Sequence, residues 1–173
     1  MKIGIIGKIH QDGPSFLKTK NVEIVNIENF EEDNLISNLS EVDGIIVRTP
    51  KLTSKVLSNC KNLKVVARHG VGYDNVDIDY LNKNNIALAI TGKSNAVSVA
   101  EHVMTMMLTL SKNIFASDEL VKSNRFTSKA ELPDFFELYQ KKILILGFGR
   151  IGQALAKRCL GFDMEVYVYD PFI

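Results

Sequence analysis

Five short runs, KIGIIG (2–7), VEIVNI (22–27), GIIVR (44–48), LKVVAR (63–68) and IALAIT (86–91), recur along the first half of the chain. They are almost continuous in apolar residues, which is the pattern of strands covered on both faces rather than on one. Between them lie stretches able to form helices near 14–20, 30–40, 53–60 and 77–84, with Thr53 or Ser54 placed to cap the third. Strand and helix alternating in this way build a parallel sheet, because each parallel pairing needs a crossover that a helix supplies. Residues 1–93 therefore read as one α/β domain, a five-stranded flavodoxin-like parallel sheet.

Composition narrows the function. The chain has 173 residues, 46% of them hydrophobic, enough to fill a real core. Its 21 Lys and Arg nearly balance 20 Asp and Glu, so no electrostatic footprint for nucleic acid or an anionic membrane is present. The apolar run in MKIGIIGKIHQDG is too short for a signal peptide, and VMTMMLTL falls well short of a membrane span. The chain is expected to be cytoplasmic. Two cysteines, Cys60 and Cys159, form no metal or redox spacing and read as buried thiols, with no metal site.

The segment SNAVSVAEHVMTMMLTLSKN changes character. Ser98 and Glu101 have the spacing of a capping box, which predicts a helix starting at Ser98. Val99, Val103, Met106, Met107 and Leu110 then share a face that Ala100, Met104 and Leu108 widen, leaving a narrow polar stripe that includes His102. A helix this apolar must be buried against another domain or a second subunit. NIFASDELVKSNRF is expected to continue as helix, and TSKAELPDFFELYQKK is a polar connection punctuated by Pro133.

The remaining stretch, 142–173, carries the chemistry. KILIL is a strand, Gly147-Phe-Gly149-Arg-Ile-Gly152 follows at once, RIGQALAKRCL is a helix ended by Gly161, and EVYVYD closes a second strand with an acid. That order is the dinucleotide-binding fingerprint, and it makes 94–173 a helix followed by the first βαβ of a Rossmann domain. Gly147 permits the turn, Gly149 lets a pyrophosphate approach, and Gly152 lets helix and strand pack closely. The backbone N–H groups of Arg150 and Ile151 face the phosphates at the helix start. Asp170 can accept from both ribose hydroxyls and repels a 2′-phosphate, so the expected cofactor is NAD.

A substrate surface is expected beside it. Ligands of open α/β sheets sit outside the carboxyl ends of the strands. Arg48 and Arg68 lie at such ends, Lys8 follows the first run, and Gly70-Val71-Gly72 forms a turn whose N–H groups can close around a carboxylate. The partner is therefore a small anion.

VRTPKLT, VARHGVGYDNVD, NAVSVAEH, KILILGFGRIG and YDPF together resemble the D-isomer-specific 2-hydroxyacid dehydrogenases, particularly the phosphoglycerate dehydrogenase branch. The resemblance covers essentially the whole chain. It implies an NAD-dependent oxidoreductase of a D-2-hydroxy acid, with 3-phosphoglycerate and serine biosynthesis as the specific expectation. Val71 and Gly72 would hold the substrate carboxylate through their amides, and Arg48 and Arg68 would lie near its phosphate. The helix from Ser98 to Lys112 would cross between domains and form a homodimer interface. The family's catalytic Arg, Glu and His lie on later elements, so no catalytic residue is expected within this chain, which reads as the N-terminal portion of a longer enzyme. His10, His69 and His102 match none of them, and His69 is the one beside the substrate turn. The alternative function is a non-catalytic NAD-sensing or dimerisation module.

Overall fold

The computed structural model describes residues 1–92, 94–125 and 134–173. Pro133 and the middle of the polar connection lie outside them. The chain divides into two compact units, Met1–Ser94 and Asn95–Ile173.

The first unit runs β1 (Lys2–Ile6), α1 (Asp12–Thr19), β2 (Glu23–Ile27), α2 (Glu32–Leu39), β3 (Gly44–Val47), α3 (Ser54–Ser58), β4 (Val65–Arg68), α4 (Ile78–Lys83) and β5 (Ala87–Ile90). All pairings are parallel, in the order β2-β1-β3-β4-β5. This is the flavodoxin-like order expected from the sequence. One face carries Ile6, Ile45, Val47 and Val66, all essentially inaccessible, against Leu35 and Leu39 of α2, Val56 and Leu57 of α3, and Leu81 of α4. Each such side chain contributes about 1.5–3 kcal/mol. Gly4 lets α2 come this close, because a Cβ there would lie 2.5 Å from Leu39 Cδ2.

The other face is thinner: Ile3, Ile5 and Val22 are buried, with Ile24, Ile46 and Leu17 of α1 packed against them. α1 has no fully buried residue. Coverage on both faces therefore holds for β1 and β3 but not for every run. β5 is largely exposed and β2 half open, because each has one neighbouring strand and α1 does not extend over the whole sheet.

Thr53 caps α3 as expected, its hydroxyl accepting from the Val56 N–H. Asp77 does the same for α4 through the Tyr80 N–H. Asn21 and Asn85 take the left-handed conformation just after α1 and α4, a role asparagine fills at low cost.

The second unit contains α5 (Ala96–Ser111), α6 (Ile114–Lys122), β6 (Lys142–Leu146), α7 (Arg150–Leu160) and β7 (Glu165–Tyr169), with β6 and β7 forming a parallel two-stranded sheet. Two expectations for α5 need correction. Its N-cap is Asn95, without a side-chain cap, so Ser98 lies inside the helix. Glu101 is not folded back onto the helix start either; its carboxylate accepts from Arg158 of α7 at 2.9 Å. The buried face is also rotated. Ala100 and Met104 pack inward with α7 and Ser111 is also buried, whereas Met106 and Leu110 are 46% and 71% exposed. The small Ala100 lets the helices approach, and the large residues beside it turn outward. Asn113, at φ 46°, breaks α5 from α6. Gly161 caps α7 in a right-handed conformation, and the left-handed reversal falls at Asp163.

Each unit buries one thiol. Cys60 lies in the first core, where burial pushes its pKa up to about 11. Cys159 lies in the second, 3.7 Å from Met104 Sδ, and is likewise raised by burial. No helix of the described residues is long and apolar enough to cross a membrane, and no group of three His, Cys, Asp or Glu among them could hold a metal.

Candidate functional site

In the first unit the strand order reverses between β1 and β3, where crevices form at the carboxyl ends. The register sets Ile6, Val47 and Arg68 level, so Arg68 ends β4 while exposed Arg48 stands one residue beyond β3. The turn after Arg68 is held by three backbone bonds: His69 N–H to Val47 O at 2.8 Å, Gly70 N–H to Arg68 O at 2.8 Å, and Thr91 N–H to Gly70 O at 3.0 Å. Among the described residues, the next two amides, Val71 and Gly72, meet no acceptor. They stand at the mouth of the turn as unused donors.

Arg68 folds back over this turn. Its Nη1 donates to His69 O at 3.1 Å, and its Nε is buried without a hydrogen-bond partner. A side chain at Gly70 would displace the Arg68 guanidinium, and the φ of 157° there is one that a residue with a Cβ rarely adopts. The positive charge of Arg68 and the two open amides that follow it in the chain are donors of the kind that suit an oxyanion.

A 270 Å³ cleft gathers Arg68, His69, His10 and Thr91 over a floor of Ile46 and Ala67. His10 belongs to the loop after β1, and nothing in its sequence surroundings announces that it shares a cleft with Arg68. The parallel crossover brings it there. Lys8, grouped with the arginines on sequence grounds, lines a different cleft of 770 Å³ between α1 and the β1–β2 strands. Arg48 lines neither. Lys8 and Arg68 thus line different clefts, although all three basic residues lie at or just past the carboxyl ends of their strands. His102 is an exposed residue of α5.

In the second unit β6 passes directly into the glycine turn. Gly147 adopts φ 93°, which a residue with a Cβ resists, and its N–H donates to Tyr169 O at 2.7 Å. Gly149 is the N-cap of α7 and offers no side-chain cap. A Cβ on Gly149 would meet no atom within 4 Å, so the space above the helix start is open. A Cβ on buried Gly152 would instead strike the Gly147 carbonyl, so helix and strand pack against each other there. Arg150 and Ile151 form the first exposed turn of α7, where the helix dipole favours an anion.

Asp170 follows β7 and is tied down in a way the motif does not reveal. Oδ2 accepts from the Phe148 N–H at 2.7 Å, inside the glycine turn, and Oδ1 accepts from the Phe172 N–H at 2.9 Å. These two bonds hold the carboxyl below its ordinary pKa and keep it ionised. Its orientation is therefore fixed by the same turn that surrounds the open helix start. The residues fit a dinucleotide: an uncapped helix N-terminus, a glycine facing empty space, and a fixed carboxylate at the end of the second strand.

A family model for the catalytic domain of D-isomer specific 2-hydroxyacid dehydrogenases matches residues 3–164. The hydroxypyruvate reductase of Thermotoga maritima is 33% identical over 171 residues, which cover 98% of this chain and 55% of that protein. The D-3-phosphoglycerate dehydrogenase of Archaeoglobus fulgidus is 30% identical over 174 residues, covering 100% of this chain and 33% of that protein. Among solved structures, the NAD+-bound 3-phosphoglycerate dehydrogenase of Entamoeba histolytica aligns with a TM-score of 0.82 at 28% identity, over 100% of this chain and 55% of that one. The chain thus spans between a third and about half of the length of these relatives. With the flavodoxin-like sheet, the glycine turn and the match over most of its residues, the chain belongs to the D-isomer specific 2-hydroxyacid dehydrogenase family.

Proposed function

We propose that this chain carries the substrate elements and the first nucleotide-binding elements of an oxidoreductase that moves a hydride between NAD and the CH–OH group of a small anionic D-2-hydroxy acid, 3-phosphoglycerate. The observation that carries the reading is the uncapped start of α7 behind Gly149, with the ionised Asp170 fixed beside it. NAD, when bound, supplies the hydride acceptor. Gly147, Gly149 and Gly152 shape the space for the pyrophosphate, and the Arg150 and Ile151 amides face it. Asp170 receives the ribose hydroxyls and its charge disfavours a 2′-phosphate.

In the first unit the Val71 and Gly72 amides receive the substrate carboxylate. Arg68, whose Nε has no partner, and exposed Arg48 supply positive charge for a second anionic group. Relatives that act on phosphoglycerate, by their names, support this substrate. The outward face of α5, with Met106 and Leu110 exposed, supports a homodimer built on the Ser98–Lys112 segment. Two buried unpaired thiols agree with a cytoplasmic setting.

Titrating the chain with NADH and with NADPH, read by nicotinamide fluorescence, tests the cofactor assignment. Saturable NADH binding that weakens in Asp170→Ala is expected. Equal affinity for NADPH, or NADH binding indifferent to Asp170, would overturn it.

A further inference from the structure

The loop that carries Arg48 is not held by its own strand alone. Asn75, three residues past Gly72, points its side-chain amide into a ring of carbonyls from that loop: Pro50 O at 2.8 Å, Arg48 O at 3.4 Å and Thr49 O at 3.5 Å. With three acceptors around it, this position accepts only a donor, so the amide nitrogen must be the atom that faces them. The backbone continues the connection. Leu52 N–H donates to Asn75 O at 2.8 Å, Asp77 N–H donates to Leu52 O at 3.0 Å, and Leu52 and Val76 form an isolated parallel bridge. Residues 50–52 and 75–77 are therefore a small ladder beyond the carboxyl end of the sheet. The bridge is parallel, so Arg48 and the open amides of Val71 and Gly72, which precede its two strands, both lie at its amino-terminal end.

We infer that Asn75 is a positioning residue that sets the separation between two anion-binding elements, the Val71–Gly72 amides and the Arg48 side chain. It thereby selects an acid with a second, distal anionic group over one with a carboxylate alone. The inference rests on the proposed substrate class and deepens it. Asn75 acts through the Arg48 loop and has no direct part in the chemistry. A side chain without the donor leaves three carbonyls facing one another, and the loop with Arg48 moves away from the turn.

The test uses calorimetric binding of 3-phospho-D-glycerate and of D-glycerate to the 173-residue chain, in the wild type, Asn75→Ala, Arg48→Gln and the double variant. A charge-assisted contact to the distal phosphate makes the wild type prefer 3-phospho-D-glycerate by about tenfold or more. Asn75→Ala is expected to bring this preference near parity with D-glycerate affinity unchanged, and Arg48→Gln added to it is expected to change nothing further. A merely structural role would weaken both ligands together, and that result overturns the inference. So does a preference that survives Asn75→Ala, or full additivity of the two substitutions. A wild type that binds both acids alike overturns the substrate reading itself, and with it this inference. Should Asn75→Ala fail to melt cooperatively, Asn75→Ser, which keeps a shorter donor, is read by the same criteria.

Discussion

Two glycines of the same motif, Gly149 at the N-cap of α7 and Gly152 within the helix, separate folding from cofactor binding. Gly149 sits at φ −71° and ψ −162°, a conformation open to alanine, and its added methyl would touch nothing within 4 Å. Gly149→Ala gains up to about 1 kcal/mol from a stiffer unfolded chain. It loses a comparable amount because alanine is a poor N-cap. The melting temperature should therefore barely move. The methyl nevertheless occupies the space assigned to the pyrophosphate, and displacing a charge-assisted contact of about 1.5–3 kcal/mol weakens NADH binding by roughly ten- to 150-fold. Gly152→Ala does the opposite first: its methyl strikes the Gly147 carbonyl, and prising α7 from β6 costs about 1–3 kcal/mol of stability. Differential scanning fluorimetry and NADH titration of both variants are the assays. The reasoning fails if Gly149→Ala binds NADH like the wild type, or if Gly152→Ala melts like it.

Other substitutions probe the rest of the molecule. Leu39→Ala should destabilise the first unit by about 2–5 kcal/mol in urea titrations, and adding Gly4→Ala, destabilising alone, should recover part of the loss because its methyl fills the vacated space. The Asp170 carboxyl is held below its ordinary 3.8 by bonds to its ionised form. Its stabilisation is present above the unfolded-state pKa and is lost as pH falls through the lower folded value, so Asp170→Asn should flatten the acid limb of stability below about pH 4. Leu110→Glu, on the outward face of α5, should shift sedimentation from the proposed dimer to monomer without lowering the melting temperature of the monomer.

Local pattern announces elements whose residues speak for themselves. Among the described residues, the apolar runs mark the strands to within a residue or two, the exposed β5 as well as the buried β3, because an apolar, β-branched run shows in its own composition. Glycine spacing and a terminal acid mark the nucleotide turn for the same reason. Wherever a distant segment decides, the reading slips. Glu101 stands at capping-box spacing from Ser98, yet Arg158, 57 residues away, takes its carboxylate. The inward face of α5 is chosen by the packing with α7, so Ala100 and Met104 turn inward while Met106 and Leu110 stay exposed. His10 joins Arg68 and His69, and Asn75 reaches Pro50, through strand order alone. Lys8, two residues before His10, lines the cleft beside α1 and not the one that holds Arg68.

The two thiols, one in each unit and both inert while folded, give the chain a built-in pair of stopwatches. Alkylation requires a thiolate in contact with solvent, so Cys60 reacts when the first unit opens and Cys159 when the second does. Mass spectrometry of the modified peptides over time would then time the opening of each unit separately in one unlabelled sample. Whether NADH slows the second clock while leaving the first untouched would show how far the two halves unfold as one.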